Sequence, residues 1–210
     1  NEMTRPTKDV DFLGKDISND LKEVKSAFQT ISTLADDDAV WFDATTITVE
    51  TIKEEDKYEG VRLFIEGGFD TVKQRIQIDV GFGDIIVPDA QFIEYPLLLS
   101  VTNPVIIKAY SKESVIAEKF HAMVVLSYAN SRMKDFYDVY ALLKANQFDT
   151  VVLTESIKAT FEKRETSLNQ LPSFFDDEFK SDAKLNTLWK QFLKKNKLHL
   201  DVGFQDVVSD

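Results

Sequence analysis

The first residues able to do chemistry are Asp9 and Asp11, in the segment Asp9-Val10-Asp11. In an extended strand, residues two apart project from the same face, so these two carboxylates would stand side by side. Two such charges repel unless a cation lies between them. Mg²⁺ suits that arrangement, because it takes hard oxygen ligands and keeps waters that a substrate's phosphates can replace. The same spacing would also serve the polar face of an exposed edge strand. Asp79, in Arg75-Ile76-Gln77-Ile78-Asp79-Val80, is the third candidate and faces away from the apolar side of its strand. Three strand-borne carboxylates on one sheet face would make a two-metal phosphoryl-transfer site. Read alone, Asp79 is a solvent-facing residue, and Asp84 behind Gly81-Phe82-Gly83 is a turn residue.

Cations with matching roles lie further along. Lys119 falls in a helical stretch among Val115, Ala117 and Ala122, which leave it room. It could reach a triphosphate as a point charge, or pair with a Glu on the helix surface. The run Arg132-Met133-Lys134-Asp135-Phe136-Tyr137-Asp138 opens a second helix. Asp135 and Asp138, three apart, share a face there. Acidic residues are favoured at a helix N-terminus, and the same cluster could instead orient Lys119 or a substrate hydroxyl. Glu118 and His121 form half of a di-iron carboxylate motif, but the second half needs a histidine and only His199 remains. No phosphate-cradling Gly-rich loop ending in Gly-Lys and no Gly-x-Ser-x-Gly elbow is present. With no cysteine, thiolate nucleophiles, disulfides and Cys-zinc sites are excluded.

These residues need elements to position them. Asp9–Leu13 alternates polar and apolar and predicts a short strand. A helix is expected over about 18–34, with Ser18, Asn19 or Asp20 as cap, then an acidic loop at Asp36–Asp38. Thr45–Ile52 and Val61–Glu66 predict strands, Gly67–Asp70 a turn, and Val72–Phe82 a long strand paired with its predecessor. Pro88, Pro96 and Pro104 mark a loop-rich bridge. Helices follow over about 111–127, with Ser111 as N-cap, and over 134–144, 154–164 and 183–195, the last rich in lysine. A strand-dominated first part and a helical second part make an α+β or mixed α/β chain, divided at about 1–108 and 109–210. The 210 residues carry a net charge of -11, which speaks against a surface that coats itself in nucleic acid. No apolar run approaches a membrane span, and no signal peptide is evident, so a cytoplasmic location is expected.

Four segments together resemble a known family. Arg5-Pro6-Thr7-Lys8-Asp9-Val10-Asp11 is similar to the R-x-T-x-D-[ILV]-D strand of the AbiEii/AbiGii-type nucleotidyltransferases, toxin components of bacterial toxin–antitoxin and phage-defence pairs in the DNA polymerase β-like superfamily. Ile78–Asp84 resembles their next motif. Ser114–Met123 resembles their A-E-K helix, and Ser131–Val139 their R-x-K-D-x-x-D-[LV] segment. The matches run in family order over about residues 5–143; residues 145–210 carry none.

The resemblance implies a nucleotidyltransferase-like mixed sheet flanked by helices and followed by a helical lobe. It implies Asp9 and Asp11 as metal ligands with Asp79 in the third place, and Mg²⁺ as cofactor, with a two-metal site plausible on the three carboxylates. It implies Lys119 on the nucleotide phosphates, with Arg132 and Lys134 also binding the nucleotide, and Asp135 or Asp138 as the acidic partner. The reaction would move a nucleotidyl group from an NTP to an acceptor hydroxyl, with tRNA or another RNA as an expected acceptor and a cognate antitoxin as an expected partner. Lys190, Lys194, Lys195 and Lys197 are a candidate RNA patch or a solvated helix face. The superfamily's Gly-Ser or Gly-Gly turn, about ten residues before the D-x-D, would fall before Asn1, so an upstream segment is expected. Two alternatives stay open: a non-catalytic nucleotide- or partner-binding module of the same fold, and a nucleotidyltransferase acting on a small molecule.

Overall fold

The computed structural model describes residues 5–7, 9–34, 39–53, 59–95, 105–168, 172 and 175–209. The expected acidic loop at Asp36–Asp38 and the bridge prolines Pro96 and Pro104 lie outside them. The chain is α+β and divides into two compact units, Pro6–Asp84 and Asn1–Arg5 with Ile85–Asp210. The sequence reading had grouped residues through 108 with the sheet.

The first unit is a four-stranded mixed sheet with one helix. Its strands are β1 (Asp9–Gly14), β2 (Val40–Lys53), β3 (Glu59–Phe69) and β4 (Val72–Phe82), in the order β1-β4-β3-β2. β1 runs parallel to β4, and the other pairs are antiparallel. Helix α1 (Leu21–Ile31) connects β1 to β2. It starts three residues later than expected because Asp20 is the cap, its carboxylate accepting from the amides of Lys22 and Glu23. Val24 on α1 packs with Val61 and Val80, and Phe28 joins Val24 to the second cluster of Ile47, Leu63 and Ile65. Alternation along the strands therefore commits Val61, Leu63, Ile65, Ile78 and Val80 to the α1 side. It commits Asp9, Asp11, Arg62, Gln77 and Asp79 to the opposite face.

The β3–β4 hairpin forms as expected, with its turn moved. Gly67 and Gly68 lie inside β3, and the chain reverses at Asp70 and Thr71, between the paired residues Phe69 and Val72. Asp70 adopts a φ of 50°, a left-handed conformation that Asp tolerates in tight turns. The glycines meet a steric requirement. A Cβ on Gly68 would run into the Val72 carbonyl and come within 2.7 Å of the Trp41 ring. β2 carries an irregularity between Asp43 and Thr48. There Asp43 accepts hydrogen bonds from the Thr45 amide and hydroxyl, a local turn that interrupts the ladder. Those bonds, the hydroxyl's first, hold the Asp43 carboxyl below its ordinary pKa.

The second unit carries a two-stranded antiparallel sheet, β5 (Gln91–Tyr95) and β6 (Val105–Ala109), where only a loop-rich bridge was expected. The helices are α2 (Lys112–Leu126), α3 (Met133–Ala145), α4 (Thr150–Lys163), α5 (Asp177–Ser181), α6 (Ala183–Lys195) and α7 (Phe204–Ser209). Ser111 caps α2, its hydroxyl accepting from the Ser114 amide at 3.1 Å. Met133, Phe136, Tyr137, Tyr140 and Ala141 form the apolar stripe of α3. That stripe meets Phe179 of α5, Leu185 and Trp189 of α6, and Phe204 and Val207 of α7. Phe204 stands edge-on to Phe136 at 5.1 Å and lies 6.2 Å from Trp189. The short helices α5 and α7 have too few residues to persist alone and are held by these rings.

Gly68→Ala is expected to destabilise the first unit by about 1–3 kcal/mol, since backbone and indole must both give way. Urea unfolding should show a lower midpoint at unchanged slope.

Candidate functional site

Asp9, Asp11 and Asp79 share one sheet face, as the sequence suggested. β1 pairs with β4 so that Asp11 lies opposite Asp79 and Asp9 opposite Gln77. Asp9 is half-buried and accepts from the Thr7 hydroxyl at 3.0 Å, whereas Asp11 is exposed. Their hard oxygen donors on one face fit a Mg²⁺ ion. Asp79 has another engagement. Arg62 donates to both its oxygens, Nε to Oδ1 at 2.8 Å and Nη2 to Oδ2 at 2.7 Å, and Gln77 Nε2 lies 3.2 Å from each. Among the described residues, no three acidic, His or Cys side chains gather in a metal-holding group. The hydrogen bond from Arg62, helped by the charges of Asp79, Glu50 and Asp9, raises the arginine's pKa further. Arg62 is the residue the sequence reading missed. The hairpin closing on Phe69 and Val72 sets it directly opposite Asp79. A turn over 67–70 would have set it against Arg75.

In the second unit, Lys119, Asp135 and Asp138 do come together. Lys119 Nζ lies 2.7 Å from Asp138 Oδ2 and 3.4 Å from Asp135 Oδ1. Both aspartates engage the lysine. Asp135 is completely buried, and Arg132 Nε approaches its Oδ2 at 2.7 Å as an ionic contact rather than an aligned hydrogen bond. Arg5, from the R-x-T-x-D segment, clamps Asp138 with Nε at 2.7 Å and Nη2 at 2.8 Å. Lys119, Arg132 and Arg5 thus converge on the two carboxylates. Burial alone would raise the Asp138 carboxyl pKa, but the Arg5 hydrogen bonds and the Lys119 charge outweigh it and hold it below the ordinary range. Lys134 stands half-buried on α3 beside this cluster.

The discarded Glu118 and His121 pair serves packing. Glu118 Oε2 meets Arg164 Nη2 at 3.1 Å, and His121 Nε2 lies 2.8 Å from Thr166 Oγ1 with its ring edge-on to Phe161. These contacts tie α2 to the end of α4. Lys190, Lys194, Lys195 and Lys197 are all exposed, while Leu185 and Trp189 hold α6 to its core. No helix among the described residues is long and apolar enough to cross a membrane.

The depressed Asp138 pKa sets a direction for acid stability. Its pairing contributes fully above about pH 4 and is lost as pH falls through the lower folded value. Asp138→Asn should cost about 2 kcal/mol near neutrality and lose less on acidification than the parent. Urea midpoints between pH 7 and pH 3 measure both effects.

No curated protein matches the chain. Two Helicobacter pylori structures align with it. One is JHP933, at 15% identity and a TM-score of 0.43, covering 93% of this chain and 79% of the other. The second is a candidate nucleotidyltransferase, at 16% identity and a TM-score of 0.44, covering 94% and 83%. The family of the nucleotidyl transferase AbiEii toxin of type IV toxin–antitoxin systems matches over residues 1–209, so the chain carrying these aspartates and Lys119 belongs to the AbiEii nucleotidyltransferase toxins.

Proposed function

We propose that this nucleotidyltransferase transfers a nucleoside monophosphate from an NTP to an acceptor hydroxyl in a Mg²⁺-dependent reaction, as a cytoplasmic toxin with a cognate antitoxin in a phage-defence setting. The observation that carries this reading is the placement of Asp9 and Asp11 on one sheet face beside Asp79. Asp9 and Asp11 are the metal pair. Bound there, Mg²⁺ supplies neutralisation of phosphate charge and in-line alignment of the attacking and leaving oxygens. In the reaction the acceptor oxygen bonds to the α-phosphorus as the bond to the β-phosphate oxygen breaks. Pyrophosphate leaves, and the hydroxyl proton passes to solvent.

Lys119 offers its charge to the phosphates, and its half-buried place on α2 against Asp135 and Asp138 supports that role. Arg132, just before α3, and Lys134, on its first turn, add positive charge for the same anion. Asp135 and Asp138 orient the lysine. The acceptor we favour is the 3′ end of a tRNA. The net charge of -11 restricts RNA contacts to local basic patches, of which the exposed lysines of α6 are one.

Asp9→Ala and Lys119→Met should each lower label transfer from an α-labelled NTP to RNA by about 100- to 1000-fold. Both should relieve growth inhibition, Asp9→Ala with thermal unfolding near that of the parent and Lys119→Met with a lowered midpoint, since buried Asp135 loses a cation. Unchanged transfer in either variant rejects the assignment. Binding without turnover is the second reading, favoured by the arginine already lying on Asp79. Calorimetry showing NTP binding with no label transfer would establish it.

A further inference from the structure

The carboxylate face of the first unit is a charged row running across all four strands. Cross-strand register aligns Asp11 on β1, Asp79 on β4, Arg62 on β3 and Glu50 on β2. Arg62 stands between two carboxylates. It is committed to Asp79, whose side chain is 16% exposed, and leaves Glu50 exposed on its other side. A guanidinium grips a carboxylate with two parallel hydrogen bonds, and Gln77 adds a further donor to both oxygens.

We infer that Arg62 is a latch on Asp79 that competes with a divalent cation for this carboxylate, with Glu50 as the partner to which the arginine turns when the cation enters. The inference rests on the proposed metal pair Asp9 and Asp11. Without metal, the third carboxylate beside that pair would add like-charge repulsion, and Arg62 cancels it. A divalent cation at Asp9 and Asp11 faces the guanidinium across Asp79, and two cations on one carboxylate repel. Arg62 has to withdraw before Asp79 can contribute. Glu50 lies beside it on the far strand, so withdrawal exchanges one ion pair for another. Arg62 is thus a positioning residue that sets the metal concentration at which the site is completed.

The test is Mn²⁺ binding to the full chain, followed by the EPR signal of the free ion at fixed ionic strength. Arg62→Met should tighten Mn²⁺ about tenfold, and Asp79→Asn added to it should remove the gain. Arg62→Lys, which keeps the charge and loses the fork, should tighten binding about threefold and carries the test if Arg62→Met does not fold. Glu50→Gln should weaken binding a few-fold by removing the alternative partner. Arg75 lies on the same face over the Phe64 ring, and Arg75→Met controls for general loss of positive charge. A folded Arg62→Met or Arg62→Lys with parental Mn²⁺ affinity overturns the latch, as does an equal gain from Arg75→Met. Asp9→Ala separates the two levels. If it abolishes Mn²⁺ binding while Arg62→Met changes nothing, the latch alone fails. If it leaves Mn²⁺ affinity unchanged, the metal pair fails and the latch falls with it.

Discussion

Asp135 sits on the first turn of α3 with no exposure to solvent, and a carboxylate in that position has to be met by positive charge. Much of the helical unit is arranged around that requirement. α2 is capped by Ser111 and buried along Ile116, Ala117 and Met123, which fixes the place of Lys119 on its half-buried side. Arg132 approaches from the turn before α3, and Arg5 neutralises the neighbouring Asp138. The result is charge held in a set geometry. Water would screen the same groups on an exposed helix and leave them mobile.

Holding such a cluster needs a scaffold that does not yield. Residues 177–209 carry no motif, yet Phe179, Leu185, Trp189, Phe204 and Val207 build the core against which α3 is seated. The aromatic contacts beneath α3 fix which way Asp135 and Asp138 turn. The sheet unit solves its charge problem differently. Its carboxylates share the face away from α1, and Arg62 with Gln77 balances Asp79 across the strands.

The strand and helix order, the hairpin, the Ser111 cap and the span of α6 were legible because each follows from local spacing or a single cap. The sharing of one face by Asp9 and Asp11 follows from strand alternation alone. The turn was misplaced because Gly67-Gly68 has turn composition, whereas Gly67 answers to the Phe42 ring and Gly68 to the Trp41 ring of β2 and the Val72 carbonyl across the hairpin. That slip hid Arg62. The β5–β6 pair was passed over for the prolines around it, and α5 and α7 for their shortness.

Residue types and periodicity by themselves determined which groups could do chemistry and which face of each element they occupy, because side-chain direction is a property of the local backbone. Tertiary structure decided which charges meet. Arg62 reaches Asp79 through a hairpin register. Arg5 reaches Asp138 across 133 residues, and Lys119 reaches both aspartates of α3 only because packing brings two helices together. Ion pairing acts over a few ångströms in space and is indifferent to distance along the chain.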